Sequence, residues 1–358
     1  MDRLASGRCA TIIALFCLLP GLPAVAATPV AQAISQPDAF PRQLDQAKAL
    51  LRQGDLKAAE EAARKAIQLT PSSAEAHHVL GQILLKARKP NEAGEAFATA
   101  VKLKPAYAEA LNGLAEVYVV QGKSTEAEQA LTRAIEVNPK HAESYLDLAK
   151  LYERRVDAAA AKKTYQRLLA VVPNQPDALF ELATLYDNQG DTKAARDTLS
   201  RLTKAHPKHA NGWYLTGRIA ERNNDLVEAA YAYKQAVAAK PDLVDAHYNL
   251  GFIYRSQGKL NEAEREFLEV LRYQPEYAEA HMNLGVVYTS INRLDDAEAS
   301  YEKAVSLKPD YAEAHYNLGV FYELHRKDMP RALAQYRKYR ELGGRDDRVE
   351  RIVGSTFR

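Results

Sequence analysis

From about residue 40 the chain alternates apolar runs of helical period with short polar breaks, and the alternation itself repeats. "LVDAHYNLGFIY" (243–254), "YAEAHMNLGVVY" (277–288) and "YAEAHYNLGVFY" (311–322) are successive copies offset by 34 residues. The prolines keep the same step, at Pro71, Pro105, Pro139, Pro173, Pro207, Pro241, Pro275 and Pro309. Between two prolines lie an apolar run closing on tyrosine, a turn containing glycine, an alanine and a second apolar run. Each period therefore predicts two helices. A proline ends the second, because it lacks a donor and pushes the preceding residue out of helical geometry. Gly54, Gly122, Gly190 and Gly258 supply a permissive backbone for the turn between the two.

Small residues recur where the paired helices must approach. Gly81, Gly217, Gly251, Gly285 and Gly319, with Ala115, Ala149 and Ala183 in the other equivalent places, keep one face of the first helix small. Ala59, Ala93, Ala127, Ala161, Ala195, Ala229, Ala263 and Ala297 do the same on the second. Tyr118, Tyr152, Tyr186, Tyr254, Tyr288 and Tyr322 are placed to fill the wedge beside them. One such unit cannot bury its own apolar face, so neighbours must stack and the array forms one solenoid instead of separate domains.

This pattern resembles the tetratricopeptide repeat. In Val244–Tyr277 the places of that motif are held by His247, Leu250, Gly251, Tyr254, Ala263, Phe267, Val270 and Pro275. The sequence departs from the motif at His247, where Trp is commonest, and at Val270, where Ala is usual. Counted from the prolines, eight full units run from Phe40 to Tyr311 and an altered ninth starts at Ala312. The resemblance implies an all-α fold, a tetratricopeptide-repeat solenoid, with the helix-turn-helix units winding into a right-handed superhelix and the first helices lining a concave groove. The array is assigned to residues 40–345 and a cap or tail to 346–358. The first unit is more polar, with Arg42, Gln43 and Gln46. The last has one extra residue before Ala332, opens its second helix near Pro330, carries Tyr339 where a small residue is expected, and stops at "LGG" (342–344). Asp347 to Val353 then read as a short cap.

The N-terminus changes the expected location. Arg3 and Arg8 precede the apolar run "ATIIALFCLL" (10–19), and Pro20 and Pro23 follow. This reads as a signal peptide over residues 1–26, with cleavage after Ala26, or at Ala33 as a second site. The apolar run is about half of the roughly 20 residues a spanning helix needs, so no stable membrane span is expected. Residues 27–39 read as a flexible leader. The expected location is therefore outside the cytoplasm, periplasmic or secreted. Both cysteines, Cys9 and Cys17, lie in the signal, so no thiol chemistry is expected after processing. The net charge of +2 gives no electrostatic footprint for nucleic acid.

Candidate chemistry is sparse. His247, His281 and His315 recur at one repeat position, but stacked helices separate equivalent residues by roughly 8 to 10 Å, too far for a shared zinc ion, and packing is the better account. "GKST" (122–125) resembles the end of a phosphate-binding loop, yet Val117 stands where its first glycine belongs. Glu75, Glu109, Glu143, Asp177, Asp245, Glu279 and Glu313 open first helices, as complements to the helix dipole or as a rail for a basic partner. No catalytic motif, cofactor fingerprint or metal motif stands out, and fewer than 50 residues follow Pro309, too few for a catalytic domain.

By the resemblance, groove positions lie one and two places before each Leu-Gly pair and just after it. They nominate Tyr248, Asn249, Phe252, Met282, Asn283, Val286, Tyr316, Asn317 and Val320. Asn249, Asn283 and Asn317 would form a ladder able to hydrogen-bond an extended peptide. The others would form an apolar stripe, either open or partly buried between first helices. Toward the N-terminus, Asn112 with Glu116 and Leu146 with Lys150 make the wall more polar. The basic clamp of chaperone-binding relatives is absent. The expected function is a non-catalytic scaffold that binds partner proteins or peptides during assembly of an envelope machine such as a pilus, secretion or exopolysaccharide system. A periplasmic holdase is the alternative, and a glycan-binding role draws on the tyrosines alone. Oligomeric state is left open.

Overall fold

The computed structural model describes residues 39–355, and the expected signal peptide, the leader up to residue 38 and the last three residues lie outside it. The described residues are helices joined by tight turns, with no strand among them. None of these helices is long and apolar enough to cross a membrane. The chain divides into two compact units, one ending at Pro71 and one beginning at Ser72.

The first unit is one antiparallel pair, α1 (Ala39–Gln53) and α2 (Leu56–Leu69). Leu44 and Ala47 of α1 and Ala59, Ala63 and Ala66 of α2 are buried. Gly54 turns the chain at φ +83°, and the Asp55 carboxylate accepts from the Ala58 amide to cap α2.

In the second unit the first helices are α3 (Ala74–Lys86), α5 (Ala108–Val120), α7 (Ala142–Arg154), α9 (Pro176–Asn188), α11 (Ala210–Arg222), α13 (Val244–Ser256), α15 (Ala278–Ser290) and α17 (Ala312–Phe321). Their partners are α4 (Pro90–Leu103), α6 (Ser124–Val137), α8 (Ala158–Val171), α10 (Thr192–Ala205), α12 (Leu226–Ala239), α14 (Leu260–Tyr273), α16 (Leu294–Leu307) and α18 (Met329–Glu341). Each helix packs on the next in sequence, and α19 (Asp347–Ser355) closes on α18 with Val349 and Val353 buried. This is the tetratricopeptide-repeat solenoid.

Within each pair a small residue faces a large one. Cβ atoms built on Gly81, Gly217, Gly251, Gly285 and Gly319 would lie 2.6–2.9 Å from ring carbons of Phe97, Tyr233, Phe267, Tyr301 and Tyr336, closer than carbon atoms pack. Where the first helix carries Ala115 or Ala183 instead, the second carries the slimmer Leu131 or Leu199 at the equivalent place. Several of the large residues also carry a phenol that needs an acceptor. Tyr165 and Tyr233 donate to Glu153 and Glu221 on the paired first helix, at 3.0 and 2.7 Å, and Tyr336 donates to Glu323, just past the end of α17, at 2.6 Å.

The turn inside each repeat places one residue in the left-handed region. In the second unit these are Arg88, Gly122, Val156, Gly190, Asn224, Gly258, Asn292 and Lys327. Val156 stands out, because a β-branched side chain is strained at φ +60°. The extra residue before Ala332 is absorbed by a π-helical turn, Tyr322–Arg326, ahead of Lys327. A single insertion widens one turn without shifting the register of the pair.

Candidate partner-binding wall

First helices of neighbouring repeats touch directly, as in α3 with α5, α5 with α7, α13 with α15 and α15 with α17. Residue pairs 35 apart therefore meet across the seam. The Asn112 amide donates to Asp147 at 2.7 Å, the Asn283 amide to the Tyr248 hydroxyl at 3.2 Å, and the Asn317 amide contacts the Met282 sulfur at 3.4 Å. This seam settles where the nine nominated side chains stand.

Met282 and Asn283 are buried, at 3% and 1% exposure, so neither offers a surface to a partner. The Asn283 amide donates both to Tyr248 and to the Glu279 carbonyl. The expectation of a free asparagine ladder is thus corrected at its central rung. Close approach of α13 and α15 makes that rung an internal strut, and a tyrosine followed 35 residues later by an asparagine was the signal for it. Asn249 and Asn317 remain half-buried.

The apolar stripe is mixed. Phe252 is exposed, at 41%, with the Arg255 guanidinium 4.9 Å from its ring centroid. Tyr248 is half-buried against Phe267 and Tyr277, with ring centroids 5.9 and 5.3 Å away. Tyr316 lies half-buried between Tyr336 and Tyr339, and Val286 and Val320 are half-buried beside it. Burial pushes the phenols of Tyr248, Tyr277 and Tyr311 above their ordinary range, and the carboxylates nearby add to it. These hydroxyls are therefore neutral hydrogen-bonding groups.

The recurrent histidines have a role that sequence reasoning missed. Trp213 Nε1 donates to the Pro207 carbonyl at 2.8 Å, and Nε2 of His247, His281 and His315 lies 3.0–3.1 Å from the carbonyls of Pro241, Pro275 and Pro309. In these four repeats a ring N–H six residues after the proline reaches its carbonyl, supplied by Trp in one and His in three, whereas Leu111, Tyr145 and Leu179 hold the same place in others. His247 also places Nδ1 2.7 Å from Glu266. Burial opposes its charge, but Glu266 and the Pro241 carbonyl outweigh it and raise the pKa, whereas burial lowers that of His281. Among the described residues no group of three or more His, Cys, Asp or Glu could hold a metal ion.

The wall differs along α5, α7 and α9. Glu116, Asp147 and Glu181 are held above the ordinary carboxylate range, in each case by burial first and then by neighbouring carboxylates. Lys150 and the Asn112 amide oppose this at Asp147 without reversing it. The acidic residues that open first helices do sit in the first turns, and Glu279 pairs with Lys308 at 2.8 Å.

Residues 180–244, 248–312 and 290–347 match the tetratricopeptide-repeat family profile, and residues 28–178 match the profile of the TPR domain of cytochrome c-type biogenesis protein H. The chain belongs to the tetratricopeptide-repeat family. Similar solved structures include PilF of Pseudomonas aeruginosa, at 24% identity over 57% of this chain and 94% of that one, with a TM-score of 0.49. MamA is similar at 23% identity, over 48% and 94%, with a TM-score of 0.42. YrrB, described as a TPR protein with an unusual peptide-binding site, is 22% identical over 52% and 96%, with a TM-score of 0.40. No curated protein matches the chain.

Proposed function

We propose that the chain is an exported, non-catalytic scaffold that binds a partner polypeptide along its first-helix wall, in the cell envelope, during assembly of an envelope machine. Repeats of this family are protein-interaction scaffolds, and the first-helix wall is the face that packing between paired helices does not consume. One observation carries the placement. Phe252 is a large exposed apolar side chain on a first helix, with half-buried Tyr248, Val286, Tyr316 and Val320 on the same wall. The basic and apolar N-terminal segment, together with the match to a cytochrome c-type biogenesis TPR domain, supports the envelope location. The holdase reading loses its support, because it drew on a sequence-tolerant asparagine ladder whose middle rung is tied down.

The test is capture of partners from a periplasmic extract on immobilised chain. Phe252→Ala with Tyr316→Ala is expected to abolish capture while the melting curve stays cooperative. Unchanged capture would refute the placement.

A further inference from the structure

The clefts on either side of α7 lie on the first-helix wall but are chemically unlike its tyrosine-rich part, and the inference from them rests on the scaffold reading above. Between α5 and α7 lies a cleft of about 330 Å³ with an apolar floor of Val119, Leu131 and Leu151 beneath Glu116, Glu143 and Asp147. Between α7 and α9, one repeat on, lies a cleft of about 280 Å³ with Val156, Ala158 and Leu185 as its apolar lining beside Glu181, and with Glu153 and Thr184 where the first cleft has Val119 and Lys150.

Several carboxylates on first helices have partners, as Glu153 accepts from Tyr165, Asp187 pairs with Arg222 and Glu279 pairs with Lys308. Glu116 and Glu181 make no ion pair among the described residues, and Asp147 is bonded only by the neutral Asn112 amide. Lys150 and Arg154 also line the first cleft and offset part of this charge. Burial is the first cause that raises all three carboxylates; neighbouring carboxylates add to it at Glu116 and Glu181, and Lys150 opposes it at Asp147.

We propose that these two clefts take successive lysine or arginine side chains of one extended partner segment. The apolar lining of each cleft suits the methylene stems, and the carboxylates suit the ammonium or guanidinium heads. Stacked helices repeat at roughly 8 to 10 Å. An extended chain of polyproline-II geometry returns a side chain to the same face every third residue, about 9 Å on. The recognised pattern is therefore two basic residues three apart.

Fluorescence anisotropy on the full chain tests this with a labelled peptide containing Lys-Pro-Ala-Lys and its alanine and glutamate counterparts. The lysine peptide is expected to bind, to weaken with rising salt, and to lose at least tenfold in affinity with Asp147→Asn plus Glu181→Gln. The alanine and glutamate peptides are expected not to bind. Neutralising carboxylates that burial disfavours leaves the fold intact, and a melting curve checks this. Equal binding by the double variant, equal binding of the alanine peptide, or no binding of the lysine peptide would each overturn the proposal. If that happens while Phe252→Ala with Tyr316→Ala still abolishes partner capture, this inference fails and the scaffold reading stands.

Discussion

The walls built by α7 and α9 and by α13, α15 and α17 occupy the same positions in the repeat yet present different chemistry. One place before the repeat's leucine the first pair carries Asp147 and Glu181, and the later three carry Asn249, Asn283 and Asn317. Just after the small residue stand Lys150 and Thr184 in one wall and Phe252, Val286 and Val320 in the other. Behind both walls the design is unchanged, with Ala149 and Ala183, or Gly251, Gly285 and Gly319, turned to the paired helix and buried alanines opposite. The contrast teaches that helix pairing fixes the inward residues and leaves the wall free to vary with its ligand.

The contrast can be broken most severely from behind. Phe267, fully buried against Gly251, should cost about 3–5 kcal/mol on truncation to Ala, read by chemical denaturation. A cost below about 1 kcal/mol would mean that α13 and α14 are not packed as described.

Next comes the small-to-large complementarity. Gly285→Ala puts a methyl 2.6 Å from the Tyr301 ring and should cost about 1–3 kcal/mol. Ala183→Gly, in the equivalent place facing Leu199, should cost only about 0.5–1 kcal/mol.

The pH response separates the two walls by sign. Glu116, Asp147 and Glu181 have raised folded pKa values, so the native state holds their protons longer than the unfolded chain does. Their contribution to stability should increase as pH falls through the window just above the ordinary carboxylate range, and be lost as pH rises through it. Glu279 is the opposite case. Its burial is outweighed by the hydrogen bonds and charge from Lys308, which hold its pKa down, so its contribution is lost as pH falls. Melting temperature against pH, for wild type and for Glu116→Gln with Asp147→Asn and Glu181→Gln, should show the acid-side gain disappear in the triple variant.

The smallest effect is in the turn. Val156→Gly relieves a left-handed β-branched residue that is 89% exposed, and should stabilise by about 0.5–1 kcal/mol. Gly190→Val, one repeat later, should destabilise by a similar amount.

Much of the solenoid was legible in the sequence, because 34-residue spacing of prolines, small residues and tyrosines reports helix pairing directly. The π-turn at Tyr322–Arg326 was visible only as an extra residue, since sequence counts an insertion without saying which turn absorbs it. The wall was legible by position and not by accessibility. Met282 and Asn283 sit in the right register, yet their burial depends on how near α13 and α17 come to α15, which no single repeat encodes. The position of His247 was visible, but its bond to the Pro241 carbonyl follows from the path of the chain between helices.

Hydroxyl-radical footprinting of the chain with its captured partner tests the central claim most directly, because it reads individual side chains. Phe252 and Tyr316 are expected to be protected on the first-helix wall, while Tyr231, 56% exposed on the second helix α12, keeps its reactivity. Protection of Tyr231 with Phe252 unchanged would place the partner on the outer helices and contradict the account.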